Sequence, residues 1–145
     1  MQVSLEPIAH DQATLVIVGQ DSTEMSYSPA ELETLPTYRV TTTTPWREQP
    51  ADFDGVLLSD LLDANGLGGA DAILVTAEND YTTTLTRELI DSVEILVATR
   101  VNGEPHSRRE RGPIQFVIEK SQFEGSPLTS ESNFVWMAAR IEAAD

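Results

Sequence analysis

Most residue sets that perform catalysis are missing from this chain. It has no cysteine and only two histidines, His10 and His106, which excludes thiolate nucleophiles, disulfides, thiolate metal sites and His-rich metal cages. His106 follows Pro105 beside a turn, and nothing in the sequence nominates a serine partner for it. Gly66-Leu67-Gly68-Gly69 has no lysine and no flanking strand and helix, so it reads as a helix end and turn, not a phosphate loop. With 24 acidic residues, adjacency alone cannot single out a hydrolytic carboxylate pair. One local feature remains. Residues 100–111 hold Arg100, Arg108, Arg109 and Arg111 against Glu104 and Glu110, a net of +2 that leaves −17 on the rest of the chain. A positive focus on an acidic body suits a small anionic or polar ligand. The same arginines could equally decorate a hairpin and pair with neighbouring acids.

The overall charge narrows the partners. At −15 the chain lacks the lysine and arginine needed to neutralise phosphates, so nucleic acid and anionic membrane surfaces are disfavoured. Its 145 residues, 40% hydrophobic and 6% aromatic, fit a single globular domain over 1–145 with one sizeable core. No apolar run approaches the roughly 20 residues that span a bilayer, so no direct membrane insertion is expected. No basic segment followed by an apolar stretch opens the chain, so a periplasmic protein would carry its signal peptide outside this sequence. Composition leaves a cytosolic location open.

The elements that must position any site are legible in part. Val3-Ser4-Leu5 and Leu15–Val18 read as short strands. Ser28-Pro29-Ala30-Glu31 is a helix start with a capping box and proline at the first helical position, and Pro36 stops that helix. Tyr38–Thr44 is dense in β-branched residues and runs as a strand into Pro45-Trp46. Ser59 is expected to cap a second helix that ends at Asn65-Gly66. Ala72–Ala77 is a continuous apolar run, expected as a central strand buried on both faces, and Tyr81–Leu85 follows it as an extended piece. A helical turn at Thr86–Leu89 leads to a strand over Val93–Val101. Asn102-Gly103 then forms a hairpin turn, and Ile114–Ile118 is the returning partner. Residues 119–132 read as a polar loop. Phe134–Ile141 reads as the closing strand, with helix as its alternative. The whole is an α+β fold: a β-rich, mixed-sheet or barrel-like core with short peripheral helices.

Five short patterns occur in one order: Phe53–Leu62, Ala77-Glu78-Asn79-Asp80-Tyr81, Asn102-Gly103-Glu104-Pro105, Arg109-Glu110-Arg111-Gly112-Pro113-Ile114, and Trp136 before Arg140-Ile141-Glu142. This order resembles the molybdopterin-binding domain of the sulfite oxidase-like oxidoreductases over roughly residues 25–143. It resembles more closely still their small stand-alone bacterial relatives, some of which bind a free pterin. Those enzymes hold molybdenum through a cysteine thiolate delivered by the strand after the first helix. The matching stretch here is Val40–Trp46, with Thr43 among the threonines that stand where the thiolate is expected. A neutral hydroxyl is a poor substitute for a soft thiolate.

The resemblance implies a cofactor-binding set of Thr43, Trp46, Asn79, Asp80, Tyr81, Arg109, Arg111 and Trp136, with no catalytic or metal-binding residue. Asp80 would accept N–H bonds from a 2-amino-4-oxo ring edge, and Asn79 would offer both donor and acceptor. Trp46 and Tyr81 would cover the ring face. Arg109 or Arg111 would bond a ring carbonyl or stack on the ring. Asp80 as a turn residue, and Tyr81 and Trp136 as core residues, are the structural alternatives. The implied function is a non-catalytic, acidic, periplasmic signalling protein that binds a reduced, tetrahydropterin-like pterin and contacts a membrane-bound enzyme of cyclic-di-GMP metabolism. The alternative is a molybdopterin-dependent oxidoreductase domain with a non-cysteine metal ligand. A third reading keeps the fold as an interaction module without the pocket.

Overall fold

The computed structural model describes residues 2–10 and 13–144. The strands are β1 (Gln2–Val3), β2 (Leu15–Val18), β3 (Glu24–Tyr27), β4 (Thr37–Thr44), β5 (Arg47–Leu57) and β6 (Ala72–Ala77). They continue with β7 (Thr82–Thr86), β8 (Ile95–Val101), β9 (Glu104–Pro105), β10 (Gln115–Ile118) and β11 (Ala138–Ala143). Helices α1 (Pro29–Leu32), α2 (Leu58–Ala64), α3 (Arg87–Ser92) and α4 (Lys120–Glu124) are short, as are 3-10 turns at Arg108–Glu110 and Glu131–Asn133. The strands sort into two sheets. One is antiparallel in the order β1-β4-β5-β8-β10, with β9 also on β8; the other runs β3-β2-β11-β6-β7 and is mixed, because β11 lies parallel to β2. Phe53, Val56, Leu96, Phe116 and Val117 from the first sheet and Leu15, Ile17, Ile73, Val75 and Ile141 from the second share one hydrophobic core with Leu58, Leu61 and Leu62 of α2. The β-rich α+β class read from the sequence is the class observed.

Local signals explain most of the elements. Ser28 accepts from the Glu31 N–H at 3.1 Å while the Glu31 carboxylate takes the Ser28 N–H at 2.9 Å, so the capping box opens α1. Gly66 (φ 74°) ends α2, and Leu67 N–H returns to the Leu62 carbonyl at 2.8 Å, the six-to-one bond of a Schellman end. Asn102 (φ 52°) and Gly103 (φ 85°) both take the left-handed values of a tight hairpin turn. Its immediate return strand is β9; the expected partner over 114–118 pairs farther along β8 as β10. Gly55 sits at a register shift between β5 and β8, where a Cβ would meet the Val97 carbonyl at 2.0 Å.

Several sequence-based expectations need correction. The first strand ends at Val3, not Leu5. Leu57, not Ser59, is the N-cap of α2, and no side chain caps that end. β6 has strands on both sides, yet its residues alternate between buried and half-buried, so only one face is in the core. Residues 119–132 contain α4 and a 3-10 turn, because Glu119 caps α4 by accepting from the Ser121 and Gln122 N–H groups. The closing strand starts only at Ala138: Met137 (φ 53°) breaks the extended chain, and Trp136 forms only an isolated bridge to Gln115. Strands β3 and β5 were not anticipated. Glu24–Tyr27 is largely exposed, and the acidic, Pro50-containing start of β5 pairs with β4 alone.

Arg100 leaves the expected cationic focus for the interior. Its guanidinium grips Glu33 with two bonds of 2.8 and 3.0 Å and donates to the Glu6 carbonyl at 2.7 Å. Thr99 Oγ1 (2.6 Å) and His10 Nε2 (3.0 Å) complete the set around Glu33, tying the N-terminal segment to β8. Burial raises the Glu33 pKa, but the bonds from Arg100, Thr99 and His10 together hold it below its ordinary 4.5.

Candidate functional site

Four separate segments meet at one end of the sheets. The first is Pro45-Trp46, a two-residue turn that sets Thr44 of β4 opposite Arg47 of β5 and leaves Trp46 41% exposed at its tip. The second is the turn after β6, closed by Ala77 N–H to the Tyr81 carbonyl (2.8 Å) and Asp80 N–H to the Ala77 carbonyl (3.0 Å). The third is the 3-10 turn at 108–110, where Ser107 Oγ accepts from Glu110 N–H, ending at Arg111 (φ 80°). The fourth runs from the 3-10 turn at 131–133 through Phe134 to Trp136.

Hydrogen bonds lock these segments together. Met137 N–H donates to the Arg111 carbonyl (3.2 Å), and Glu78 N–H donates to the Met137 carbonyl (2.8 Å). Arg108 spans from the third segment to the second, donating from Nε and Nη2 to both Glu78 oxygens at 2.9 Å. Asp80 (φ 68°), Arg111 and Met137 are non-glycine residues in the left-handed region, each at about 1–2 kcal/mol; the first two lie on these segments and Met137 directly follows the fourth. Gly112 must be glycine because a Cβ there would lie 2.6 Å from the His106 ring.

Between the segments lies a cleft of about 290 Å³ lined by Trp46, Asn79, Tyr81, Glu131, Ser132, Phe134 and Trp136. Trp46 meets Phe134 edge-on (6.4 Å, 84°), and Phe134 rests against Phe123 (5.2 Å). The walls are therefore flat and apolar, with an amide, a hydroxyl and a carboxylate at the edges, the makeup of a small-molecule site. Larger grooves at Gln20–Met25 and along Pro45–Gln49 are walled mostly by exposed polar side chains.

Of the residues proposed from sequence, Trp46, Asn79, Tyr81 and Trp136 line this cleft together. Trp136 is half-buried there, neither core nor free. Thr43 faces a neighbouring hollow of about 180 Å³ beside Phe123 and Phe134. Asp80 is exposed on its turn and Arg109 is exposed on the 3-10 turn; neither lines the cleft. Arg111 stands outside the lining, its guanidinium carbon 4.7 Å from the Trp46 ring centroid and 5.8 Å from that of Trp136. One cation thus braces both indoles, and its Nε is buried without a protein partner. Glu131, Ser132 and Phe134 escaped sequence reasoning. Phe134 was visible as a large aromatic in a polar stretch, but nothing local marked Glu131 or Ser132.

His106 is buried beneath the third segment, its Nε2–H donating to Gln115 Oε1 at 2.7 Å. Burial pushes its pKa below 6.5, with Arg47 adding to the shift, while the Gln115 bond and Glu110 oppose it. It is a neutral packing residue outside the cleft. The donor set does not fit molybdenum: the chain supplies no thiolate, and among the described residues no three histidine or carboxylate groups converge on one point.

Two sheets joined in this way, with short helices outside, have the architecture of the sulfite oxidase-like molybdopterin domains. The chain belongs to the oxidoreductase molybdopterin binding domain family, whose model matches residues 2–126 and whose members bind molybdopterin. Among solved structures it is similar to the sulfane dehydrogenase SoxCD from Paracoccus pantotrophus, with a TM-score of 0.68 and 16% identity. The likeness covers 98% of this chain but 40% of that one, so it is a likeness of fold alone. No curated protein matches.

Proposed function

We propose that residues 1–145 form one non-catalytic domain that binds a reduced pterin in the cleft between Trp46, Tyr81 and Trp136. The observation that carries this reading is the set of aromatic side chains around one hollow of about 290 Å³, in a family that binds a pterin cofactor, on a chain without a thiolate. Aromatic stacking contributes about 0.5–1.5 kcal/mol per ring pair beyond area burial, and Asn79 supplies an adaptable amide at the rim. The cleft lies just below the usual size range of small-molecule pockets, which suits a bare bicyclic ring better than a full molybdopterin.

The order of motifs supports the rest of the reading: a periplasmic sensor whose pterin occupancy is relayed to a membrane-bound enzyme of cyclic-di-GMP metabolism. The test is mass spectrometry of small molecules released from purified protein, joined to anaerobic calorimetry with tetrahydropterin. Released pterin and micromolar binding are expected. Released molybdopterin, or no heat at millimolar ligand, refutes the reading.

A further inference from the structure

Resting on that reading, we propose that Glu131, not Asp80, is the carboxylate that recognises the ring, and that the cleft therefore selects flat rings bearing paired N–H donors on one edge. Among the described residues, Glu131 is the one acidic side chain that lines the aromatic cleft. Its backbone is fixed: Ser130 N–H donates to Asn133 Oδ1 (2.8 Å), Asn133 is buried, and Phe134 N–H returns to the Glu131 carbonyl (3.1 Å). Phe134, three residues on, is itself part of the cleft wall, so the turn that carries Glu131 is anchored by the site it serves. Asp80 instead points from a turn held by backbone bonds and does not reach the lining.

A carboxylate is acceptor-only when ionised and pairs best with two parallel N–H groups. The 2-amino group and neighbouring ring N–H of a 2-amino-4-oxo pteridine present that pair. A 2,4-dioxo ring keeps the neighbouring ring N–H but sets a carbonyl oxygen where the 2-amino group was, leaving one carboxylate oxygen unpaired and facing another acceptor.

The experiment compares binding of tetrahydropterin and its 2,4-dioxo analogue at the same reduction level, by anaerobic calorimetry, for wild type, Glu131→Gln, Asp80→Asn and Glu88→Gln. Wild type is expected to favour tetrahydropterin by roughly tenfold or more. Glu131→Gln should weaken tetrahydropterin by a similar factor and erase the preference, with the melting temperature unchanged because the Glu131 side chain is exposed. Asp80→Asn and Glu88→Gln, the latter a distant charge removal on α3, should bind like wild type. Equal affinity of wild type for both rings, or wild-type behaviour of Glu131→Gln, overturns the role of Glu131 while the pterin site stands. Loss of binding in Asp80→Asn returns the role to Asp80. Equal loss in Glu88→Gln points to a diffuse acidic field and overturns the proposal. Binding of neither ring by wild type refutes the pterin reading itself, and this inference with it.

Discussion

Arg111 offers a test of the cleft that needs no ligand. Its guanidinium lies over both indoles, and Trp46 and Trp136 are the only tryptophans in the chain, so intrinsic fluorescence reports on the cleft alone. Each cation–π contact contributes about 0.5–1 kcal/mol at a partly exposed site, about 1–2 kcal/mol for the two. Removing the buried, unpartnered Nε returns part of that, so Arg111→Ala should cost about 1 kcal/mol net. Arg111→Gly loses the same contacts but also relieves the left-handed backbone at φ 80°, a gain of about 1 kcal/mol. The glycine variant should therefore match wild type and exceed the alanine variant by about 1 kcal/mol, or roughly 3–4 °C in melting temperature for a chain of this size. Both variants should show the same change in tryptophan emission, because both remove the brace. Unchanged emission would show that the guanidinium does not sit against the indoles. A glycine variant no more stable than alanine would refute the assignment of backbone strain at this position.

Four further outcomes follow from the structure. Elemental analysis should find no stoichiometric molybdenum, and no turnover of sulfite or a sulfoxide is expected, since Thr43 and its neighbours offer no thiolate; stoichiometric metal with turnover would contradict this. Arg100→Met should strand Glu33 in a largely buried site (7% side-chain exposure) at a cost of about 3–5 kcal/mol by urea denaturation. In the intact protein Glu33 stabilises fully above pH 4.5, and that contribution is lost as the pH falls through its lower folded value. His106 is also held below its ordinary 6.5, so the unfolded chain takes up its proton first and stability declines as pH drops below about 6.5; His106→Gln should flatten the urea midpoint between about pH 7 and pH 5.

What the sequence determined by itself was whatever a few adjacent residues decide. Ser28 with Glu31, Asn65 with Gly66 and Asn102 with Gly103 set their caps and turns because each needs only local hydrogen bonds or a local left-handed backbone. The ordered short patterns pointed to the family, and the absence of cysteine already removed the thiolate. β5 stayed illegible because its acidic, proline-containing start is made extended by pairing with β4, not by its own propensity. The cleft is a tertiary object. Trp46, Tyr81 and the Glu131–Trp136 stretch come from three segments separated by dozens of residues, and only the meeting of the two sheets brings them within one hollow. The same meeting sent Arg100 inward to Glu33, left Asp80 on the outside of its turn, and laid Arg111 across two indoles. Side-chain direction depends on strand register and on left-handed residues such as Arg111 and Met137, and register is a property of paired strands that no single stretch of sequence contains.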